Sequence, residues 1–338
     1  MIVHDKAELK RRVRALVKRA AAVDTFVPAD WAQGPWGVDA MLRTWMADES
    51  MDAETIDELF QLRCVQGLPI EPRAAETFAT LSAMDMPMMD LYVVREREKL
   101  LGRVGYAQLA LERAGLQKVF TGVPMEGAQE KLDALRAFAP EVEPVLRIAL
   151  QDAPDERYGT QYVSCAEKAR TLMEANGLRS VMFACTENPA DERMLRSCVA
   201  PLCEDVGAVL HLHAPASQVQ TVKALLRDFP SLRLIIRMHD DAAALEAAGR
   251  CEHALPCVSL SGLDRALAAR GTAFIPYTSA ATQPGELIGR WQNARAAIAS
   301  SLTQALLPLA RTGFAISSED IEKHVTALMG GNVLALYE

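Results

Sequence analysis

The sequence lacks several features that mark common classes of protein. It has no apolar run long enough to cross a bilayer, since a membrane-spanning helix needs about 20 such residues. Its first 20 residues are charged throughout and lack the apolar centre of a secretory signal. The seven cysteines form no CxxC pair, and their number is odd. We therefore expect reduced thiols in a cytoplasmic protein with no membrane partner.

Basic charge is also scarce. Lys and Arg number 36 against 44 Asp and Glu, which gives a formal net charge of −8 and a pI near 5.4. Nucleic-acid-binding domains usually carry a basic face, so we expect no nucleic-acid partner. An anionic ligand would need a local basic pocket. The length of 338 residues is sufficient for one large α/β barrel or two ordinary domains.

Short apolar, β-branched runs alternate with amphipathic helical segments along most of the chain. This alternation is typical of βαβ units and a parallel sheet. Eight strands favour a closed (β/α)8 TIM barrel, an α/β fold, with residues 1–338 as a single domain. An open doubly wound sheet fits nearly as well, but no glycine-rich dinucleotide turn follows the first strand. The predicted strands are residues 21–27, 118–124, 143–150, 179–186, 208–214, 232–239, 254–260 and 272–279.

A long stretch, residues 30–115, separates the first two predicted strands. A plain loop between a strand and a helix has only a few residues, so we predict a helical insertion after strand 1. In a barrel it would lie over the carboxyl ends of the strands, where active sites of this fold are found. The candidate helices are residues 38–46, 55–63, 73–82 and 102–114.

Five short segments occur in an order that resembles a known family. In this order they are similar to the uronate isomerase branch of the amidohydrolase superfamily, over nearly the whole chain. The resemblance implies a barrel with a helical insertion, a sugar-acid substrate and a divalent metal at the barrel mouth. The segments are Ala22-Val23-Asp24-Thr25, Pro35-Trp36-Gly37-Val38-Asp39, Val145-Leu146-Arg147-Ile148, the stretch 274–282 followed by Leu287-Ile288-Gly289-Arg290-Trp291, and Gly330-Gly331-Asn332-Val333-Leu334-Ala335-Leu336-Tyr337.

The metal-ligand positions of that family are substituted in this chain. The two first-strand histidines correspond to Phe26 and Pro28, and the last-strand aspartate corresponds to Ala280. None of these side chains offers a lone pair to a metal, whereas the fifth-strand histidine is retained as His213. A divalent ion normally needs at least three protein ligands. We therefore predict a degenerate site with no metal and no other cofactor.

Histidines on two neighbouring predicted strands are the candidate catalytic residues. His211 and His213 lie two positions apart, and therefore on the same face of their strand. Arg237 and His239 have the same spacing on the next strand. Histidines act as acid and base near neutral pH, and we assign this role to His213 and His239. The alternatives are a hydrogen bond inside the barrel and a divalent metal held by His211, His213 and His239.

Asp240, directly after the second pair, has two interpretations. It orients an imidazole as a third catalytic residue, or it caps the helix predicted over residues 241–248.

Arg147 and Tyr277 complete the predicted ligand-binding set. Arg147 has apolar neighbours on its strand, and a buried arginine needs an anion or several acceptors. In the similar family an arginine here would face a sugar-acid carboxylate; the alternative is an ion pair with Asp24. Tyr277 donates a hydrogen bond at the last strand, or belongs to an ordinary turn. Together with His211 and Arg237, these residues predict a pocket for a small anion.

Two classes of function remain open. The first is an enzyme, a uronate-isomerase-like barrel that isomerises or hydrolyses a small sugar-acid-like anion with a remodelled site. The second is a non-catalytic pseudoenzyme that binds a ligand or a protein partner. Fold alone does not choose between them, and a homo-oligomer is compatible with both.

Overall fold

The centre of the fold is a parallel sheet. A computed structural model of the chain describes residues 2–3, 6–27, 34–48, 50–66, 72–86, 90–149, 160–312 and 314–338. The strands in these ranges are β1 (Ile2–Val3), β2 (Ala22–Val27), β3 (Leu116–Pro124), β4 (Val142–Ile148), β5 (Ser180–Ala184), β6 (Val209–Ala214), β7 (Arg233–Met238), β8 (Ala254–Cys257) and β9 (Ile316–Ser317). Strands β2 to β8 pair in chain order, all parallel. Strands β1 and β9 form a separate antiparallel pair.

Helices connect the parallel strands. The α-helices are α1 (Lys6–Arg19), α2 (Val38–Met46), α3 (Ala53–Phe60), α4 (Pro72–Ala83), α5 (Leu91–Ala114), α6 (Ala128–Phe138), α7 (Thr160–Asn176), α8 (Pro189–Met194), α9 (Ala200–Val206), α10 (Val219–Asp228), α11 (Asp241–Ala248), α12 (Leu263–Arg270), α13 (Pro284–Arg311), α14 (Ser318–Thr326) and α15 (Asn332–Ala335). Helix α10 shows the common pattern, since it buries Val219, Val222 and Leu225 along one side. The predicted α/β alternation is confirmed.

Seven of the eight predicted strands are confirmed within three residues at each end, but the last one, residues 272–279, is wrong as a strand. It is reduced to one parallel bridge between Cys257 and Ile275. Pro276 follows at once and has no N–H to donate to a neighbouring strand. On the other side, the amide of Ser279 donates to the Asp24 carboxylate, 3.0 Å away, rather than to a backbone carbonyl. The segment therefore lies between β8 and β2 without forming a regular ladder.

Among the described residues between β2 and β3 are the α-helices α2 to α5, where the sequence predicts helices. Helix α5 begins at Leu91 rather than at residue 102. Gly102 interrupts it with a φ of 64°, a conformation that glycine adopts without steric strain. The sequence signal for a helix start at residue 102 thus marks a kink inside a longer helix.

The buried side chains form two layers. The larger layer lies between the outer face of the sheet and the helices. The smaller one takes inner-face side chains from every strand of the seven-stranded sheet, together with Ile275, so the sheet curls around it. Val333, Leu336 and Tyr337, near the end of the chain, also belong to this inner layer. Arg233 holds this end in place by donating to the Leu336 carbonyl at 2.6 Å.

The same ranges contain no helix that is long and apolar enough to cross a membrane.

Candidate active site at the carboxyl ends of the strands

The inner face of the sheet becomes polar where the strands end. His213 on β6 lies beside Arg237 on β7, and Arg237 lies beside Cys257 on β8. His213 and Arg237 lie two positions beyond the layer that contains His211 and Ile235, whereas Cys257 is buried and still belongs to the apolar inner layer. Alternate residues of a strand share a face, so the side chains of His213 and Arg237 point into the mouth of the curled sheet.

His213 and His239 form a pair at this mouth. Their ring centroids are 5.0 Å apart, and the rings meet edge to face at 70°. His213 is half-buried and His239 is exposed. Burial lowers the pKa of His213, and the charges of Arg237 and His239 lower it further. His213 is therefore neutral at pH 7, with a ring nitrogen able to accept a proton.

Two cavities meet at His239. The larger has a volume of about 720 Å³ and is lined by residues 237–241, residues 257–262, Arg265, Tyr277 and Thr278. The smaller, about 240 Å³, is lined by residues 184–187, residues 213–215 and His239. His239 lines both cavities, whereas His213 lines only the smaller one. Arg265 is not among the site residues that the sequence predicts.

Cys185 lines the smaller cavity but is not an activated nucleophile. Burial raises the pKa of its thiol to about 12, so the thiolate is absent at neutral pH.

Asp240 caps a helix at the rim of the larger cavity. Its carboxylate accepts a hydrogen bond from the amide of Ala242 at 2.7 Å, at the start of α11. This is the helix-capping interpretation of the sequence. Its second interpretation, orienting a catalytic imidazole, stays a prediction.

Tyr277 is half-buried and packs its ring against a neighbouring tryptophan. Its ring meets that of Trp291 edge to face at 5.4 Å, and it lines the larger cavity. Burial is the largest cause that raises the Tyr277 pKa to about 12. The hydroxyl therefore stays protonated at neutral pH and can donate a hydrogen bond to a ligand.

His211 is more deeply buried than His213 and His239. It is fully buried, and its Nε2 is 2.7 Å from the hydroxyl of Tyr337. Its ring also contacts Phe120, with centroids 5.4 Å apart. Burial lowers its pKa to about 3, which keeps the ring neutral. His211 lines neither cavity, so the structure separates it from His213 and His239.

Arg147 is exposed, and the expectation that it is buried is wrong. It lies on the same strand face as Val145 of the inner layer, but at the end of β4. It lines neither of the two cavities, although it faces the same mouth of the sheet.

Asp24 forms a buried polar junction instead of the ion pair considered for Arg147. Its carboxylate accepts hydrogen bonds from the amides of Thr25 at 2.9 Å and Ser279 at 3.0 Å. The indole of Trp291 donates to its other oxygen at 3.0 Å. Burial raises the pKa of Asp24 against these hydrogen bonds, which lower it. Asp24 thereby connects β2 to the segment after Ile275 and to α13.

The described donor set does not fit a divalent metal at the family's position. Ala280 is there, with a φ of 48°, and a methyl group cannot bind an ion. The side chain of Phe26 and the whole of Pro28 lie outside the described residues. Among the residues that are described, no group of three His, Cys, Asp or Glu side chains is arranged to hold a metal ion.

The curled parallel sheet, with its polar mouth at the carboxyl ends of the strands, defines a TIM-like α/β fold. Solved structures with a similar fold are uronate isomerases. The fold is similar to that of the uronate isomerase from Bacillus halodurans, with a TM-score of 0.84 and 15% identity over 99% of this chain and 97% of that chain. The uronate isomerase from Thermotoga maritima has a TM-score of 0.68 and 11% identity over 100% and 98% of the two chains.

A third similar structure is the glucuronate isomerase from Caulobacter crescentus, with a TM-score of 0.62 and 12% identity over 99% of this chain and 95% of that chain. No protein-family model and no curated protein sequence matches the chain. The chain therefore has the fold of uronate isomerases. The resemblance inferred from five short segments is confirmed at the level of fold.

Proposed function

We propose that the protein binds a small sugar-acid-like anion at the carboxyl ends of its strands. The observation that supports this most is the cavity of about 720 Å³ in which Arg237, His239 and Tyr277 meet. Small-molecule sites typically have volumes of about 300–1,000 Å³. A guanidinium binds a carboxylate through two parallel hydrogen bonds, and imidazole and phenol groups suit sugar hydroxyls. The names of the structurally similar proteins make a uronate the first candidate.

Each polar residue of the mouth then has a role. Arg237 binds the carboxylate, and His239 and Tyr277 bind hydroxyl groups. Arg147 adds a second positive charge to the mouth from β4. His211 lies below the site, where it contacts Tyr337, and does not touch the ligand.

We propose further that binding does not use the metal site of the similar family. The methyl group of Ala280 and the separation of His211 from His213 and His239 support this. Elemental analysis of protein purified without chelator tests it. Zinc, manganese and iron should each be well below one equivalent per chain. A stoichiometric ion would contradict this part of the proposal, and its ligands would show whether the three histidines hold it.

The helices α2 to α5 act in this proposal as an insertion that borders the mouth. Thr80 on α4 donates to the carbonyl of Gly285 at 2.9 Å, and Gly285 is in the first turn of α13. Helix α13 directly follows the segment that carries Tyr277 and Thr278. Movement of these helices would therefore act directly on one wall of the larger cavity.

A second candidate function, metal-independent proton transfer, is favoured by the histidine pair. Isomerisation of a uronate to its keto isomer moves protons between neighbouring atoms without changing the composition. His213 is neutral, half-buried and lines the smaller cavity beside His239, so it suits the base, and His239 suits the acid. Asp240 would orient His239. Without turnover, the same pocket makes the protein a pseudoenzyme that binds its ligand.

Binding is tested by thermal unfolding with glucuronate, galacturonate and gluconate. A ligand that binds only the folded state raises the melting temperature as its concentration exceeds Kd. At least one of these acids should do so, and Arg237→Ala should abolish the rise. Arg250→Ala, which removes an exposed arginine outside both cavities, should preserve it. No rise with any acid, or a rise that persists in Arg237→Ala, would overturn the proposal.

Catalysis is tested by following uronate isomerisation in the presence of chelator. His213→Asn should lower kcat by about 10²–10⁴-fold, the usual contribution of general acid–base catalysis. Binding without turnover, with or without added metals, would identify a pseudoenzyme. Turnover that requires an added metal and is lost in His213→Asn would show that the substitutions left a working metal site.

A further inference from the structure

The two cavities that meet at His239 differ in chemistry. The larger has a mostly polar lining with charges of both signs, from Arg237, Arg265, Asp240 and Asp241. The smaller, of about 240 Å³, has a mostly apolar lining. Ligand sites combine apolar walls with a few polar groups, so the two cavities suit different parts of one ligand.

Short side chains form the apolar wall of the smaller cavity. They are Ala184, Cys185, Ala214 and Pro215. Ala184 is at the end of β5, two positions beyond Met182, which packs on the inner layer, and beside His213 on β6. Ala184 is exposed, so its methyl group borders open space in the mouth. The volume of this cavity therefore depends on the absence of a longer side chain at this position.

Polar atoms on this wall are already hydrogen-bonded within the protein. The hydroxyl of Thr186 donates to the Asp191 carboxylate, which also accepts the amide of Thr186 at 2.9 Å. The carbonyl of Thr186 accepts from the side chain of Gln218 at 3.3 Å and from the thiol of Cys185 at 3.6 Å. This wall thus leaves mainly apolar surface to a ligand.

The charges at the smaller cavity do not favour a second anion. Burial raises the pKa of the Cys185 thiol and lowers that of His213, so both groups are uncharged at neutral pH. Glu187 is exposed and brings a negative charge, and its carboxylate accepts the hydroxyl of Ser217 at 3.2 Å. No arginine or lysine is among the described residues that line this cavity. An uncharged group therefore fits here better than a carboxylate or a phosphate.

The size of the smaller cavity limits what it can hold. One water molecule takes up about 30 Å³ in the liquid, so about eight would fill a cavity of this volume. A short alkyl chain or a phenyl ring has a comparable size. Placing such a group against apolar walls removes apolar surface from water and so raises affinity.

We infer that the ligand is a sugar acid with an uncharged alkyl or aryl substituent on one of its oxygens, and that this substituent occupies the smaller cavity. The inference rests on the proposed sugar-acid function and names the class of ligand. The sugar acid lies in the larger cavity, and the substituent extends past His239. Ala184 is then a specificity-determining residue that touches no reacting atom.

Calorimetric binding of glucuronate, methyl β-D-glucuronoside and 4-O-methylglucuronate tests the inference. At least one methyl derivative should bind about fourfold more tightly than glucuronate, the contribution of one buried methyl group. The phenyl ether at the same oxygen should bind at least tenfold more tightly than glucuronate. The preferred derivative locates the substituent at the anomeric oxygen or at carbon 4, and either result supports the inference. A glycoside cannot open its ring, so the first result would also exclude isomerisation of that ligand.

Ala184→Leu should fill the smaller cavity and reduce these affinity ratios to about one. The affinity for glucuronate should not change, which also shows that the variant is folded. The matched variant Ala305→Leu changes an exposed alanine of α13 outside both cavities, and it should keep the ratios.

Other results would overturn the inference. Equal affinity for free and substituted acids, or ratios unchanged in Ala184→Leu, would exclude an apolar subsite while leaving the proposed function intact. Loss of glucuronate binding in Ala184→Leu at an unchanged melting temperature would place the sugar itself in the smaller cavity. Tightest binding of 2-aminoethyl β-D-glucuronoside would identify a cation subsite at Glu187 instead. If no sugar acid binds, the proposed function itself fails.

Discussion

Glu98 should make the protein less stable as the pH rises through neutrality. It is a buried residue of α5 whose carboxylate accepts the amide of Val38 at 2.8 Å, at the start of α2. Burial raises its pKa from 4.5 to about 7, and Asp39 contributes in the same direction. The Val38 amide and Arg95 act in the opposite direction but do not outweigh burial.

The direction of this pH effect depends on whether the folded or the unfolded state holds the proton on Glu98. Between pH 4.5 and about 7 the folded protein keeps a proton on Glu98 that the unfolded chain has lost. Stability therefore falls as the pH rises through this window. One pKa unit corresponds to 1.36 kcal/mol, so titration of Glu98 lowers the free energy of unfolding by about 3 kcal/mol in total. About 2 kcal/mol of this decrease occurs between pH 5.5 and 8.5.

Glu98→Gln isolates this effect, since glutamine keeps an acceptor for Val38 and does not ionise. Urea unfolding of wild type and variant should be compared at pH 5.5, 7 and 8.5. The variant should gain about 2 kcal/mol relative to wild type across this range. Glu112→Gln, an exposed change on the same helix, should show a constant difference. A constant difference for Glu98→Gln as well would refute the reasoning.

Three further substitutions test the packing around the site. Tyr337→Phe removes the hydroxyl that contacts His211 and should lower the free energy of unfolding by about 1–3 kcal/mol. Calorimetry should show an unchanged ligand affinity, and an altered affinity would place His211 in the site. Trp291→Phe leaves one oxygen of Asp24 without its donor, so urea unfolding should show a loss of about 1–3 kcal/mol, and an unchanged midpoint would contradict the buried junction. Gly285→Ala places a methyl against a buried tyrosine and a methionine, with an expected loss of about 1–3 kcal/mol that a neutral result would disprove.

The fold was predictable because burial on both faces of a parallel strand leaves a continuous apolar run in the sequence. Seven strands follow this rule. The last predicted strand is wrong because an apolar sequence does not show whether its backbone N–H groups are available for pairing with a neighbouring strand. Residues 272–279 are apolar enough for a strand, but Pro276 removes a donor in the middle, and Asp24 takes the amide of Ser279.

The sequence predicts on which face of the sheet the site residues lie, but not how deeply each of them is buried. The two-residue period places His211 and His213 on the same side of β6, as observed. It does not say that two residues, about 6–7 Å along a strand, separate a buried layer from the mouth. Arg147 was misjudged for a related reason, since its apolar sequence neighbours pack on the outer face while its own face opens to solvent.

Arg265 had no local signal at all. An arginine in the first turn of an amphipathic helix is ordinary in sequence. Its place in the cavity depends on the turn that Leu260–Gly262 makes before α12, and on the carboxylate of Asp241 that holds this turn through Ser259.

The end segment that fills the inner layer has a consequence for folding during synthesis. Ile275 and the strands before it leave the ribosome well before Val333, Leu336 and Tyr337 are made. Until then the floor of the curled sheet is open, and its apolar inner face is exposed to water. Contacts between residues so distant in the chain also form slowly. A nascent chain arrested before residue 333 should therefore bind hydrophobic dyes and chaperones, and release them when the last inner-layer residues emerge.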